Sequence, residues 1–265
     1  GFENWSRHNP LNIGPNWGCG QEASIRVINI LLASYLLDED SEPTAPLMEL
    51  IKQHLSRISP TIHYAIAQDN NHGTSEAAAL FLGGAFLHAV NNDMSAKRWE
   101  KKGRSILENR VKKLIMDDGS FSMYSINYHR VMLDTLCLVE IWRQKLGLDP
   151  FSAKFYHRAK LATVWLLSMI GNQEGDVPNI GANDGARIID LNESDIRDFR
   201  PSVQLAATLF LKKRAFNKKG GYDFPIELLG LSNQEENIAS PRNVVFSEGG
   251  YAVLRNELAS VYMRF

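Results

Sequence analysis

The chain has little cysteine, almost no net charge and no long apolar run, and each shortage excludes something. Its two cysteines, Cys19 and Cys137, lie in helix-like apolar contexts. They read as buried thiols rather than as a disulfide or a metal site, and they do not fix a redox compartment. A net charge of -1 removes the electrostatic case for nucleic acid or an anionic membrane as partner. A polyanionic ligand would have to be met by a local group of basic residues. No apolar run approaches the ~20 residues that a membrane helix needs, and no internal repeat argues for a regular solenoid. No signal peptide opens the chain, but it starts Gly-Phe-Glu rather than with Met, so that silence bounds nothing. What remains is an ordinary globular composition, 44% hydrophobic and 22% charged. Its 265 residues suffice for one large domain or two smaller ones.

Helical periodicity dominates what is there. Ile25, Ile28, Leu32 and Leu36 set a helix over 20–37, stopped by Asp38-Glu39-Asp40. Pro43 and Pro46 open a second, expected to run to about Arg57. Residues 73–91 and 127–146 are apolar nearly all round and predict buried helices. Residues 95–116, with a face of Lys and Arg, predict a surface helix; 152–170 are amphipathic, and 201–214 make one more helix. Buried and amphipathic helices tend to alternate, as they would if an inner layer were wrapped by an outer one. An all-α fold of helical hairpins in two layers, an α/α toroid or barrel, suits that pattern better than a four-helix bundle.

The last residues change style. Val244-Val245-Phe246, Gly250 to Arg255 and Ala259 to Phe265 read as strands, with a turn at Asn256-Glu257. A lone hairpin is marginal in water. Either these strands pad the helical domain or they begin a β domain continued elsewhere, and the second is the expectation: a helical domain over 1–243, and the first strands of another over 244–265.

Two polar clusters resist explanation by packing. Asp-Asn-Asn-His-Gly-Thr-Ser-Glu, at 69–76, precedes the first buried helix. Asn70 or Asn71 can cap it and Glu76 falls in its first turns, where the dipole favours a carboxylate. That leaves His72 and the second amide without a purpose, and a helix start bearing Asn and His suits a ligand carboxylate. Asn127-Tyr128-His129-Arg130 opens the second buried helix in the same manner. Tyr128 reads either as a core aromatic or as a site residue, with His129 and Arg130 as a polar shoulder. A Gly- and Asn-rich loop over 175–187, carrying Asn183, Asp184 and Arg187, is either a set of turns or the lining of a site. Near the N-terminus Trp17, Gln21, Glu22 and Arg26 put an aromatic beside polar side chains at a helix start. Stacking on a sugar ring and hydrophobic anchoring both account for that Trp.

Four stretches carry a resemblance: Asn-Trp-x-Cys-Gly-Gln-Glu-x-Ser-Ile-Arg, Asn-Asn-His-x-x-x-Glu-Ala, Gly-Ser-Phe-Ser-x-x-Ser-x-Asn-Tyr-His-Arg and Pro-Asn-x-Gly-x-Asn-Asp-Gly. In this order, over roughly residues 5 to 255, they resemble the heparinase II/III-like polysaccharide lyases. The resemblance implies an incomplete (α/α) toroid followed by an antiparallel β-sandwich, β-elimination of a uronic-acid polysaccharide such as heparan sulfate or alginate, and a periplasmic or secreted protein. It also implies roles. Asn71 and His72 match the pair that binds the uronate carboxylate, and Tyr128 matches the tyrosine that gives a proton to the glycosidic oxygen and in syn elimination first removes the C5 proton. All three are expected to face one cleft. Trp17, Gln21, Glu22, Arg26, Asn70, Glu76, Asn127, His129, Arg130, Asn183, Asp184 and Arg187 are expected around the substrate. Arg26, Arg130 and Arg187 are too few to choose a sulfated polymer over an unsulfated one.

The chemistry supports those roles independently. The C5 proton is very weakly acidic while the adjacent carboxylate is charged, and neutralising that carboxylate stabilises the enolate-like transition state. A tyrosine with a reference pKa near ~10 needs a cationic neighbour to act as a base, and His129 or Arg130 is the expected one. Two departures stand out. The family brings a histidine from its sandwich domain, and none follows Val244. Some relatives hold a metal ion in that domain, and this chain offers no ligand cluster for one. Because the histidine is missing and the strands cannot complete a sheet alone, residues 1–265 by themselves are expected to bind acidic oligosaccharide weakly and not to turn it over. The alternatives are a glycoside hydrolase using Glu76 and Asp184, a non-catalytic glycan-binding module, and a metal site on His72 and Glu76, whose other ligands are unidentified.

Overall fold

The computed structural model describes residues 2–171, 174–232, 234–239, 243–256 and 258–265; Glu257, half of the expected Asn256-Glu257 turn, lies outside them. The chain divides into two compact units interleaved in sequence: residues 1–110 with 141–150, and 111–140 with 151–265.

In the first unit, α1 (Phe2–His8), α2 (Gly20–Leu36), α3 (Ala45–Ala67), α4 (Asn71–Asn91) and most of α5 (Met94–Leu114) follow one another. The helices α2, α3 and α4 pack together. The α4 helix is buried from Gly73 to Leu87, as its all-round apolar sequence requires, against Ile51, Leu55 and Ile58 of α3. Where α4 meets α5 the backbones touch: a Cβ on Gly84 would strike the backbone of Ala96 and Glu100, and one on Gly103 that of Ala77 and Phe81. Only glycine permits that approach. The α3 helix runs ten residues beyond the expected end at Arg57 and passes through Pro60. Ile58, Ile62 and Ala65 keep the helical spacing on the buried side, and their burial offsets the hydrogen bond that Pro60 cannot make.

The second unit contains the start of α6 (Ile126–Lys145), then α7 (Ala153–Met169), α8 (Arg200–Ala206), α9 (Phe224–Leu228) and the strands β1 (Asn243–Phe246), β2 (Tyr251–Arg255) and β3 (Ser260–Arg264). The helix expected over 201–214 is shorter: α8 widens into a π-type turn over Ala207–Leu211 and stops at Lys212, whose φ is 54°. The strands form an antiparallel sheet in the order β1-β2-β3, with Val245 opposite Ala252 and Ala252 opposite Met263. Its inner face is anchored to helices of the same unit. Phe246 and Tyr251 pack on Trp165 with ring centroids at 5.9 and 5.2 Å, Val253 is fully buried, and Arg255 donates to the carbonyls of Ser168 and Ile170 at 3.1 and 2.7 Å. The β1–β2 turn is tied to the chain ahead of α6, because Asp118 Oδ2 accepts from the amides of Glu248 and Gly249 at 2.8 and 2.9 Å. Packing and a third strand thus remove the marginality of a bare hairpin. The outer face leaves Val245, Leu254, Val261 and Met263 exposed.

Candidate functional site

In the first unit the polar cluster sits at the start of α4. Asn70 is the cap: its side chain accepts from the amide of His72 at 2.9 Å. Asn71 is buried, and its carbonyl accepts from the Ser75 hydroxyl at 3.1 Å. Ser75 in turn accepts from Gln21 Nε2 of α2 at 3.2 Å. His72 is half-buried, and that burial holds its imidazole below the ordinary histidine range, so it is neutral at pH 7. Glu76 lies deeper. Its carboxylate rests on Gly20, the first residue of α2, so closely that a Cβ there would come within 2.6 Å of it. Oε2 is buried without a hydrogen-bond partner among the described residues. Loss of solvation pushes the Glu76 carboxyl up to about 7, against the pull of the Arg57 charge.

The aromatic of this unit serves packing. Trp17 is 3% exposed, donates Nε1 to the Asn9 carbonyl at 3.0 Å, and meets the His54 ring at 4.6 Å. It has no free face for a sugar ring, so anchoring accounts for it. Arg26 donates Nε to His54 Nε2 at 3.1 Å and also bonds the Asn16 carbonyl, while Glu22 is exposed on the first turn of α2.

In the second unit the cluster forms a connected network at the start of α6. The Tyr128 hydroxyl, half-exposed, donates to Asp184 Oδ2 at 2.7 Å. Asp184 Oδ1 accepts from the Ala186 amide at 3.0 Å and from Asn127 Nδ2 at 3.5 Å, and Asn127 Oδ1 accepts from Arg130 Nη2 at 2.8 Å. The loop bearing Asp184 is strapped across the first turn of the helix. The Ile126 amide donates to the Ile180 carbonyl at 3.1 Å, and the Ser125 hydroxyl donates to the Ala182 carbonyl at 2.5 Å while accepting from the Tyr128 amide at 3.1 Å. Gly181, at φ +81°, lies so close to the Tyr124 carbonyl and Ser125 that no side chain fits. The Asp184 hydrogen bond, then burial, pushes the Tyr128 phenol up to about 12; the same bond holds Asp184 below its usual range.

The expected cationic help for Tyr128 is not there. His129 turns into the core, where Nε2 meets the Ala162 carbonyl at 2.9 Å and the ring stacks on Trp165 at 4.4 Å; burial drops its pKa to about 4. Arg130 is buried over Phe199 and donates to the Ile196 carbonyl at 2.6 Å. Arg187 is spent on the carbonyls of Ile189 and Ser194 and on Asp190. Asn183 remains exposed, bonded to Asn179 at 2.9 Å. Sequence reasoning assigns Ser125 and Gly181 no role of their own, although both stand in the stretches quoted above. It also leaves unmarked Arg57, which donates to the carbonyls of Trp17 and Gly18 at 2.7 and 2.8 Å. Ser125 has a local signal in its hydroxyl immediately before a helix, and Gly181 in its Gly- and Asn-rich loop.

A predominantly helical chain with polar clusters at the starts of two buried helices, closed by a short antiparallel sheet, defines the class: the α/α-toroid type. The family model described as Heparinase II/III N-terminus matches residues 3–184, more than half of the chain, and the chain belongs to that family. Its fold is similar to that of the crystal structure of heparinase III, with a TM-score of 0.62, 16% identity, and 99% of this chain against 40% of that one. It is similar also to that of a mutant of the heparan sulfate lyase HepC from Pedobacter heparinus, with a TM-score of 0.58, 18% identity, and 99% against 39%. The chain therefore spans about two fifths of the length of those proteins. No curated protein matches it. Among the described residues no helix is long and apolar enough to cross a membrane, and no group of three or more His, Cys, Asp or Glu could hold a metal ion.

Proposed function

We propose that the protein containing this chain is a polysaccharide lyase that cleaves a uronic-acid polymer by β-elimination. The observation that carries this reading is Tyr128, a half-exposed phenol at the start of a buried helix whose proton is kept in place by Asp184. A phenol held above its ordinary range stays protonated, so its proton is there for a departing sugar oxygen, and it is unsuited to wait as a phenolate. Because neither His129 nor Arg130 faces its hydroxyl, the arrangement favours a mechanism in which another group removes the C5 proton. The histidine that the family brings from its sandwich domain is our candidate for that base. Asn71 and His72 would neutralise the uronate carboxylate; a neutral imidazole donates one N–H to it, and the developing enolate is stabilised as at an oxyanion hole.

The substrate class follows from kinship. Two proteins of similar fold carry heparinase and heparan sulfate lyase in their names, so an acidic, uronate-containing polysaccharide is the proposed partner. A periplasmic or secreted location is proposed from the family resemblance alone. The same reading takes residues 244–265 as the first strands of a sandwich domain. The apolar, exposed outer face of the sheet suits a second sheet packed upon it. Hydrolysis by Glu76 and Asp184 is less favoured, since Glu76 is closed in behind Gly20 and Asp184 is engaged by Tyr128. A panel of uronate polysaccharides, read by ultraviolet absorbance, tests the proposal on the whole protein. Elimination leaves an absorbing C4–C5 double bond; cleavage without absorbance would mean a hydrolase.

A further inference from the structure

Among the described residues of the second unit the Tyr128 hydroxyl has one hydrogen-bond partner, and that partner comes from a loop 56 residues away. The approach is built rather than incidental. Three separate attachments fix the loop on the start of α6: the Ile126 amide to the Ile180 carbonyl, the Ser125 hydroxyl to the Ala182 carbonyl, and the close seat of Gly181 against Tyr124 and Ser125. The carboxylate itself is oriented from behind. Its second oxygen is taken by the Ala186 amide and by Asn127, which Arg130 fixes in turn. So many constraints leave Oδ2 aimed at the phenol.

We infer that Asp184 is a positioning residue: its carboxylate, presented by the 180–187 strap, aims the Tyr128 hydroxyl and keeps it protonated until a sugar oxygen takes its place as acceptor. This deepens the reading of Tyr128 as proton donor and rests on it for its purpose, though not for its test. An anion at 2.7 Å disfavours a second negative charge on the phenol, which agrees with the direction in which Tyr128 is pushed. The group facing the phenol here is Asp184, with Asn127 and Arg130 behind it; His129, on the same helix, points into the core. A merely structural loop residue would leave the titration of Tyr128 unchanged.

The test needs no substrate. The chain is labelled at the tyrosine ring carbon that bears the hydroxyl, and Tyr128 is assigned by the carbon signal lost in Tyr128→Phe. In the wild type this signal is expected to stay that of a neutral phenol near pH ~10, where an ordinary tyrosine is half ionised. In Asp184→Asn, where only burial still raises the phenol, a clear phenolate fraction should appear at that pH. Asp184→Glu, which keeps the charge, should restore the neutral signal. Tyr128 titrating alike in the wild type and Asp184→Asn would overturn the inference, as would Asp184→Glu behaving like the Asn variant. Elimination by the whole protein is a separate readout. If the titration shifts but no uronate polymer is cleaved, the lyase reading falls while the control of Tyr128 by Asp184 stands.

Discussion

The starts of α4 and α6 look alike in sequence and are constructed differently. At α4 the polar residues are organised mainly from within: Asn70 caps its own helix and Ser75 bonds back one turn to Asn71, while Gln21 of α2 reaches Ser75 and Arg110 of α5 pairs with Asp69. At α6 the organisation arrives from far along the chain, because the 180–187 loop supplies the partner of Tyr128, the cap-side contacts and the glycine that lets them close. Each start contains a carboxylate as well, in opposite states. Glu76 is walled in without a hydrogen-bond partner among the described residues and is held partly protonated near neutral pH, whereas Asp184 is exposed, bonded and ionised. One helix start stores an unfavourable charge; the other uses a favourable one to govern a neighbour.

Substitution of the two glycines should separate these constructions. At Gly181 an alanine would need a left-handed backbone and would collide with the Tyr124 carbonyl, so Gly181→Ala should cost about 2–4 kcal/mol in urea unfolding and release Asp184 from Tyr128. At Gly20 the nearest atoms to the added methyl belong to the far end of the Glu76 side chain rather than to backbone, so Gly20→Ala should cost less. Equal losses at the two positions would mean that the strap on α6 is no more rigid than the packing at α4.

A smaller effect concerns charge. The Glu76 carboxyl titrates at about 7 in the folded chain and near its ordinary ~4.3 when unfolded, so between those values the folded state binds more protons. Stability is therefore fully present at acid pH and falls as pH rises through 7. Glu76→Gln should remove that loss, raising stability at pH 8 by about 1–2 kcal/mol and changing little at pH 4. An unchanged pH dependence of the melting temperature would show that Glu76 is not held in its neutral form.

The helical half of this picture was largely legible. All-round apolar stretches predict the buried helices α4 and α6 within two residues of their observed starts, and the β-rich composition of the tail gives the strands. Failures came where tertiary contacts decide. Nothing local says that Ile62 and Ala65 will carry α3 through Pro60, or that the end of α8 will widen. Trp17, Arg130 and Arg187 have the chemistry of sugar and anion binding, and the fold spends each on carbonyls and rings of its own. The Tyr128–Asp184 bond was beyond reach for a further reason. Both residues were visible as candidates, but a pairing across 56 positions leaves no periodic trace.

The central claim is that Tyr128 carries the proton transfer. Its direct test is elimination by the whole protein and by Tyr128→Phe, measured on the uronate polymer that the wild type cleaves best. The substitution removes one half-exposed hydroxyl and keeps the ring, so folding and oligosaccharide binding should hold within about 1 kcal/mol. The rate of ultraviolet-absorbing product should meanwhile fall by about a hundredfold or more, the scale of lost acid–base catalysis. A Tyr128→Phe protein that turns over at the wild-type rate would contradict the account.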